Sequence, residues 1–242
     1  MKKMLIEVNR LLNDNKTTRN LKNVLYLAKE ELEVQLLCNN CYEEMQKKAL
    51  EMSKKIKNVQ FGCGTHILND YINVDINSCS DIIWDVREIL PFENETIVKI
   101  FSEHMLEHLD FPVSVNNFFK ESYRILKQGG ELIIGVPDCD FPLKDIQEMN
   151  TKNMKLAINK WYNLRKDVLS NLTNSINYLN YVMHDQLFDK TYHPHYWGYN
   201  ENNLKELFLK HGFQEVEIWK PDMKIINPKR LWGTIYLKGV KK

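Results

Sequence analysis

Apolar positions along this chain change their period twice, and the changes divide it into three stretches. Residues 1–57 contain no Gly or Pro and carry apolar side chains at helical spacing, as in Leu21, Leu25, Ala28, Leu32 and Leu36 with charges between them. A recurrence of three to four residues is one face of an amphipathic helix, so this stretch predicts two or more helices leading into a core domain. From residue 58 the apolar runs become short: 59–61, 71–76, 81–84 and 97–102 read as strands, the last after the turn-prone Pro91-Phe92-Glu93-Asn94. A helix is predicted from about 113 to 127, ended by Gly129-Gly130, and 131–136 is a buried-type strand stopped by Pro137-Asp138. From about 141 to 199 the pattern turns to long helical stretches rich in Asn, Lys and aromatics. A helix over 201–211 closing at Gly212 follows, then strands over 213–219 and 231–237 joined by the polar segment 221–229.

Strands alternating with helices predict βαβ units and a mainly parallel sheet. Right-handed crossovers put the C-terminal ends of such strands on one edge, where ligands bind. That edge would be lined by residues 62–66, Asp75, Asp85, residues 102–104 and Asp138. Its most telling part is Val59-Gln60-Phe61-Gly62-Cys63-Gly64 followed by Tyr71-Ile72-Asn73-Val74-Asp75-Ile76. One apolar run stops at two glycines, which lack a Cβ and tolerate positive φ, so backbone can approach a ligand closely. The next run stops at an acid that can accept both hydroxyls of a ribose. This is the pattern of a nucleoside-binding β-loop-β unit, although Gly-x-Gly alone leaves the kind of nucleoside open.

Composition narrows the field modestly. With 242 residues, 43% of them hydrophobic, the chain can bury the core of one large α/β domain or two small ones. Lys plus Arg number 33 against 32 for Asp plus Glu, a formal net charge of +1, so no global field favours nucleic acid or an anionic membrane. The N-terminus becomes charged again before an apolar leader could form and no later run approaches a membrane span, which predicts a cytoplasmic protein. Five cysteines at 38, 41, 63, 79 and 139 include one pair at metal-ligand spacing, Cys38 and Cys41, with no second pair to complete a zinc site. They read as reduced thiols, and no metal is expected. The abundance of Lys, Asn and Ile hints at an AT-rich genome.

Several further elements stand in fixed order with the glycine loop: Asp85-Val86 ahead of Leu90-Pro91-Phe92, then Ser102-Glu103-His104-Met105-Leu106-Glu107-His108, then Glu121 through Gly129-Gly130, then Gly135-Val136-Pro137-Asp138. Together they resemble the class I S-adenosylmethionine-dependent methyltransferases, in particular the type-11 group, over roughly residues 56 to 138, with His211-Gly212-Phe213 and Val216 as weaker support. The resemblance implies an α/β fold: a Rossmann-like seven-stranded sheet with one strand antiparallel, N-terminal helices over 1–57, and a methyltransferase domain over 58–242 with a helical lid inserted at about 141–199. It implies S-adenosylmethionine as methyl donor and S-adenosylhomocysteine as product. Carried over by position, Phe61, Gly62, Cys63 and Gly64 would lie along the methionine part and ribose, Asp75 and Ile76 beside the ribose, Asp85 and Val86 at the adenine, and Ser102 and His104 at the end of the fourth strand. Many class I enzymes have an acid where this chain has Gln60, and the gap from Gly64 to Tyr71 is too short for a full helix.

Two segments admit competing readings. His104-Met105-Leu106-Glu107-His108 matches an inverted zinc-protease signature, H-x-x-E-H, which on a helix sets two imidazoles on one face. Its place directly after a buried strand favours Glu107 and His108 bonding to nearby backbone, with His104 turned toward the pocket. His184, His193 and His195 with Tyr192, Tyr196, Trp197 and Tyr199 are either an aromatic packing corner or part of an acceptor-binding lid. Methyl transfer from a sulfonium is an in-line displacement governed by positioning and exclusion of water. A hydroxyl acceptor also needs a base, for which His104, Asp138, His193 and His195 are the candidates. The expected reaction is O- or N-methylation of a small molecule, which the resemblance suggests is a sugar or phosphorylated precursor in bacterial surface-polysaccharide biosynthesis. The alternatives are methylation of a protein and a non-catalytic cofactor-binding partner subunit. No nucleic-acid partner is expected, and the sequence leaves the oligomeric state open.

Overall fold

The computed structural model describes residues 1–141 and 195–242. The expected helical lid therefore falls almost wholly outside the described residues, and His184, Tyr192 and His193 lie outside them altogether. Seven strands form one sheet: β1 (Asn58–Phe61), β2 (Ile72–Asp75), β3 (Ile82–Ile83), β4 (Ile97–Glu103), β5 (Leu126–Pro137), β6 (Phe213–Ile218) and β7 (Thr234–Lys241). Their order is β3-β2-β1-β4-β5-β7-β6. The first five run parallel, while β7 lies antiparallel to both β5 and β6. The single reversed strand agrees with the expected sheet, because the last two strands are joined directly and need no crossover helix.

Helices α1 (Lys2–Asn13) and α2 (Arg19–Lys55) account for the N-terminal pattern, and Thr18 caps α2 by accepting the Leu21 N–H at 3.3 Å. The most buried face of α2 is not the one begun by Leu21, which is exposed. Met45, Ala49 and Ser53, spaced four apart, are the buried residues, and the first two join the main core. That core lies on one face of the sheet, under α2, α3 (Val113–Ile125) and α4 (Glu201–Lys210). Phe61, Phe118, Phe119, Phe208 and Phe213 meet edge to face within it, and each buried ring contributes roughly 1.5–3 kcal/mol. The opposite face is covered by irregular chain: Leu68 and Tyr71 from the loop before β2 and Ile226 from the segment before β7 pack on Phe101, Ile133 and Tyr236.

One boundary differs from expectation. α3 ends at Ile125, two residues before the predicted position, and Gly129-Gly130 lie inside β5. The Arg124 and Ile125 carbonyls already accept the N–H groups of Glu95 and Thr96, so the chain leaves the helix directly into pairing with β4. The glycines serve the register shift between Ile97 and Lys99: Gly129 has φ +75°, and a Cβ on Gly130 would lie 2.8 Å from the Lys127 carbonyl oxygen.

Candidate functional site

The loop after β1 is held by the end of β2. Gly62 donates its N–H to the Val74 carbonyl at 2.9 Å, and the Asp75 carboxylate accepts from Gly64 N–H at 2.7 Å and from Asn77 N–H at 2.9 Å. Gly62 sits at φ +70° with Met105 packed where a side chain would be, so no other residue fits there. Gly64, at φ +53°, has open space around the position of a Cβ. Cys63 points away from that space and is buried. Burial first, then the charges of Asp75 and Asp81, push its thiol up to about 12, which leaves too little thiolate for a nucleophile.

A cavity of about 510 Å³ opens at the C-terminal edge of the sheet, bounded by this loop, by Asp75, Ile76, Trp84, Asp85 and Val86, by residues after β4, and by Tyr196 and Arg230. Its outer wall is α2, through Leu27, Glu30, Glu31 and Val34. Their spacing of three and four residues is one helix face, and the same face continues through Cys41, Met45 and Ala49 into the core. Asp85 is held from the side: Arg87 donates to both of its oxygens, at 2.9 Å from Nε to Oδ1 and 2.7 Å from Nη2 to Oδ2, and reaches Glu31 on α2 at 2.8 and 3.0 Å. The fork geometry matches guanidinium to carboxylate, and both partners raise the Arg87 pKa, the Asp85 hydrogen bonds most, against an opposing effect of burial.

After β4 the chain turns sharply. His104 has φ +53°, and residues Leu106–His108 form one 3-10 turn, so the H-x-x-E-H residues do not share a helix face. His104 lines the cavity, with Nε2 2.7 Å from Thr234 Oγ1 and Nδ1 3.5 Å from Glu107 Oε1. Burial, with smaller contributions from Arg230, His195 and His108, holds its imidazole well below the usual range, which makes it a weak base. Glu107 does not bond to nearby backbone as expected: it is 1% exposed and neither carboxyl oxygen makes a hydrogen bond to another described residue. Burial pushes its pKa up to about 8, against the pull of its own amide and of Arg230. Its neighbour Glu103, also buried, is by contrast well served, accepting from Tyr236 Oη at 2.6 Å and Asn227 N–H at 3.1 Å.

Of the sequence-predicted residues, Gly62, Gly64, Asp75, Ile76, Asp85, Val86 and His104 meet at the cavity. Phe61 packs into the core, and Ser102, Asp138 and His195 stand outside the cavity wall. Asp138 pairs with Tyr199 as an isolated bridge, its N–H donated to the Gly233 carbonyl. His195 is buried against Glu107, its Nε2 3.9 Å from Oε1. Gln60 is likewise buried off the cavity, and its Oε1 has no partner among the described residues. The residues missed were Arg87, Arg230, Met105 and the α2 face. Only Arg87, two positions after Asp85, carried a local signal.

Residues 24–134 match the family model described as a methyltransferase domain, a span that begins inside α2 and takes in the glycine loop, Asp75, Asp85 and the turn after β4. That match agrees with the resemblance to class I S-adenosylmethionine-dependent methyltransferases over the same part of the chain. The reversed seventh strand and the glycine loop at the cavity are features that this resemblance implies. Solved structures similar to the chain include S-adenosylmethionine-dependent methyltransferases from Thermotoga maritima (18% identity, 89% of this chain and 96% of the other, TM-score 0.45), Archaeoglobus fulgidus (15%, 86% and 94%, 0.46) and Methanosarcina mazei (13%, 76% and 91%, 0.46). No curated protein matches the chain. Among its described residues, no helix is long and apolar enough to cross a membrane.

Proposed function

We propose that the chain is a methyltransferase acting on a small-molecule acceptor, transferring the methyl group of S-adenosylmethionine to an oxygen or nitrogen. The observation that carries this reading is the cavity: about 510 Å³, within the range of roughly 300–1,000 Å³ typical of small-ligand sites, and walled on one side by α2. In this reading Gly62 and Gly64 bring backbone against the donor. Asp75, already fixed through Gly64 and Asn77, takes the ribose hydroxyls on its remaining lone pairs. Asp85 and Val86 face the adenine, with Arg87 holding the Asp85 carboxylate in place. Open space at the Gly64 Cβ position suits a ligand laid across this loop. The acceptor would enter on the side of His104, His108 and Arg230, whose guanidinium suits an anionic or phosphorylated group; a sugar or phosphorylated precursor of a surface polysaccharide is the class suggested by the type-11 resemblance.

Calorimetry with S-adenosylmethionine and S-adenosylhomocysteine tests the donor half. Binding of both is expected, and Asp75→Ala should weaken S-adenosylhomocysteine at least tenfold, since charge-assisted hydrogen bonds are worth about twice neutral ones. Absence of binding would end the reading, and an unchanged Asp75→Ala affinity would remove the ribose assignment. Transfer of labelled methyl to panels of sugars, phosphate esters and amines then tests the acceptor class. Activity confined to proteins would overturn it.

A further inference from the structure

We propose that Glu107, His108 and His195 form a binding site for one divalent transition-metal ion of the zinc, cobalt(II) or iron(II) type. The three side chains each offer a ligand atom, and these atoms all lie within 4.8 Å of one another. The Glu107 Oε1 to His195 Nε2 distance is 3.9 Å, and the rings of His108 and His195 stand 4.8 Å apart at 71°. Ligands bound at 2.0–2.2 Å in a tetrahedral shell sit about 3.4 Å from each other, so the Glu107–His195 pair must close by about half an ångström and a pair at the 4.8 Å limit by about 1.4 Å, shifts that side-chain rotation supplies. Two imidazoles and one carboxylate are the donor set such ions take, and three protein ligands leave a position open.

The second observation is independent of that spacing. Glu107 is 1% exposed, and both of its oxygens lack a hydrogen-bond partner among the described residues. A carboxyl group buried with no hydrogen bond to another described residue keeps much of its desolvation cost, which a bound cation would offset. The backbone fixes the third ligand against it: Tyr196 donates its N–H to the Glu107 carbonyl at 2.8 Å, and Trp197 stacks on Phe111 at 4.3 Å, so His195 is clamped between elements far apart in sequence. Arg230 is the nearby charge that opposes a cation, and it is partly neutralised. Arg230 donates to the Glu103 carbonyl at 2.8 Å and lies 3.9 Å from the Glu103 carboxylate, which offsets it. His104, the other histidine of the H-x-x-E-H run, is held by Thr234 and is not part of the set. The site also differs from the expectation that no metal would be found. His108 also lines the cavity, so the proposed ion would lie next to it.

The test uses the full-length protein, stripped with chelator and titrated with cobalt(II) while its ligand-field absorption and heat of binding are followed. One equivalent with a four- or five-coordinate spectrum is expected. Glu107→Gln and His195→Ala should each weaken binding at least tenfold, the lower bound set by changes that only touch a ligand's supporting partners. Thermal melting identifies a variant that fails to fold, in which case His108→Ala takes its place. A wild-type protein that takes up no cobalt, or variants that bind it as well as the wild type, would overturn the site. S-adenosylhomocysteine calorimetry on the same preparations is a separate readout, so loss of the metal site and loss of the methyl-donor site can be told apart.

Discussion

The two ends of the cavity are built differently. The end at β1, β2 and β3 comes from one continuous stretch, residues 62–87, whose hydrogen bonds join neighbours: Gly64 to Asp75, Asn77 to Asp75, Arg87 to Asp85. The end at β4 and β7 joins residues far apart, with His104 bonded to Thr234, Glu103 to Tyr236, and Tyr196 to Glu107. Short loops cost less entropy to close and their partners stand side by side in the sequence. The end proposed for the methyl donor can therefore be written locally, whereas the end proposed for the acceptor exists only once the sheet has formed.

Gly62→Ala is the strongest way to test this division, because Met105, which fills the Gly62 Cβ position, belongs to the other end. Left-handed backbone costs a non-glycine residue roughly 1–2 kcal/mol, and displacement of Met105 adds to it. We expect a stability loss of about 2 kcal/mol or more by denaturant unfolding and an S-adenosylhomocysteine affinity lowered at least tenfold. Gly64→Ala meets only the backbone term, since nothing lies near its Cβ, and should lose less stability. Equal losses in the two variants would mean that Met105 does not couple the ends.

Tyr236→Phe should separate them. It removes the 2.6 Å hydrogen bond to buried Glu103 and leaves that carboxylate one donor short, at a cost of about 1–3 kcal/mol. The melting temperature should fall while S-adenosylhomocysteine affinity stays within about twofold. A parallel loss of affinity would show that the donor end depends on the scaffold of the other.

Much of the fold was legible because the strands are short apolar runs between polar turns, and the glycine loop and Asp75 sit where a strand ends. The exceptions have physical causes. The end of α3 was misplaced because Gly129-Gly130 resemble a helix cap, while the carbonyls a cap would satisfy are taken by Glu95 and Thr96. The working face of α2 was passed over because Glu30 and Glu31 interrupt its apolar spacing where it lines a cavity instead of a core. Glu107 could not be read at all: its lack of a hydrogen bond and its approach to His195 are properties of two segments brought together by the sheet.

The smallest expected effect concerns how α2 is attached to the donor end. Arg87 joins Asp85, whose side chain is 8% exposed, to Glu31, whose side chain is 51% exposed. An ion pair with one partner in water contributes about 0–1 kcal/mol and is screened by salt. The other ties of α2 are less sensitive to salt: Met45 and Ala49 pack in the core, Tyr42 lies on Trp84 at 4.4 Å between ring centres, and Lys48 donates to the Asp81 carbonyl at 2.7 Å. Glu31→Gln should therefore change stability by less than about 0.5 kcal/mol and S-adenosylhomocysteine affinity by less than about threefold, at low and high salt alike. If it instead weakened binding tenfold and salt reproduced the effect on the wild type, the cavity wall would be held by charge. The donor end would then depend, as the other end does, on a contact between distant parts of the chain.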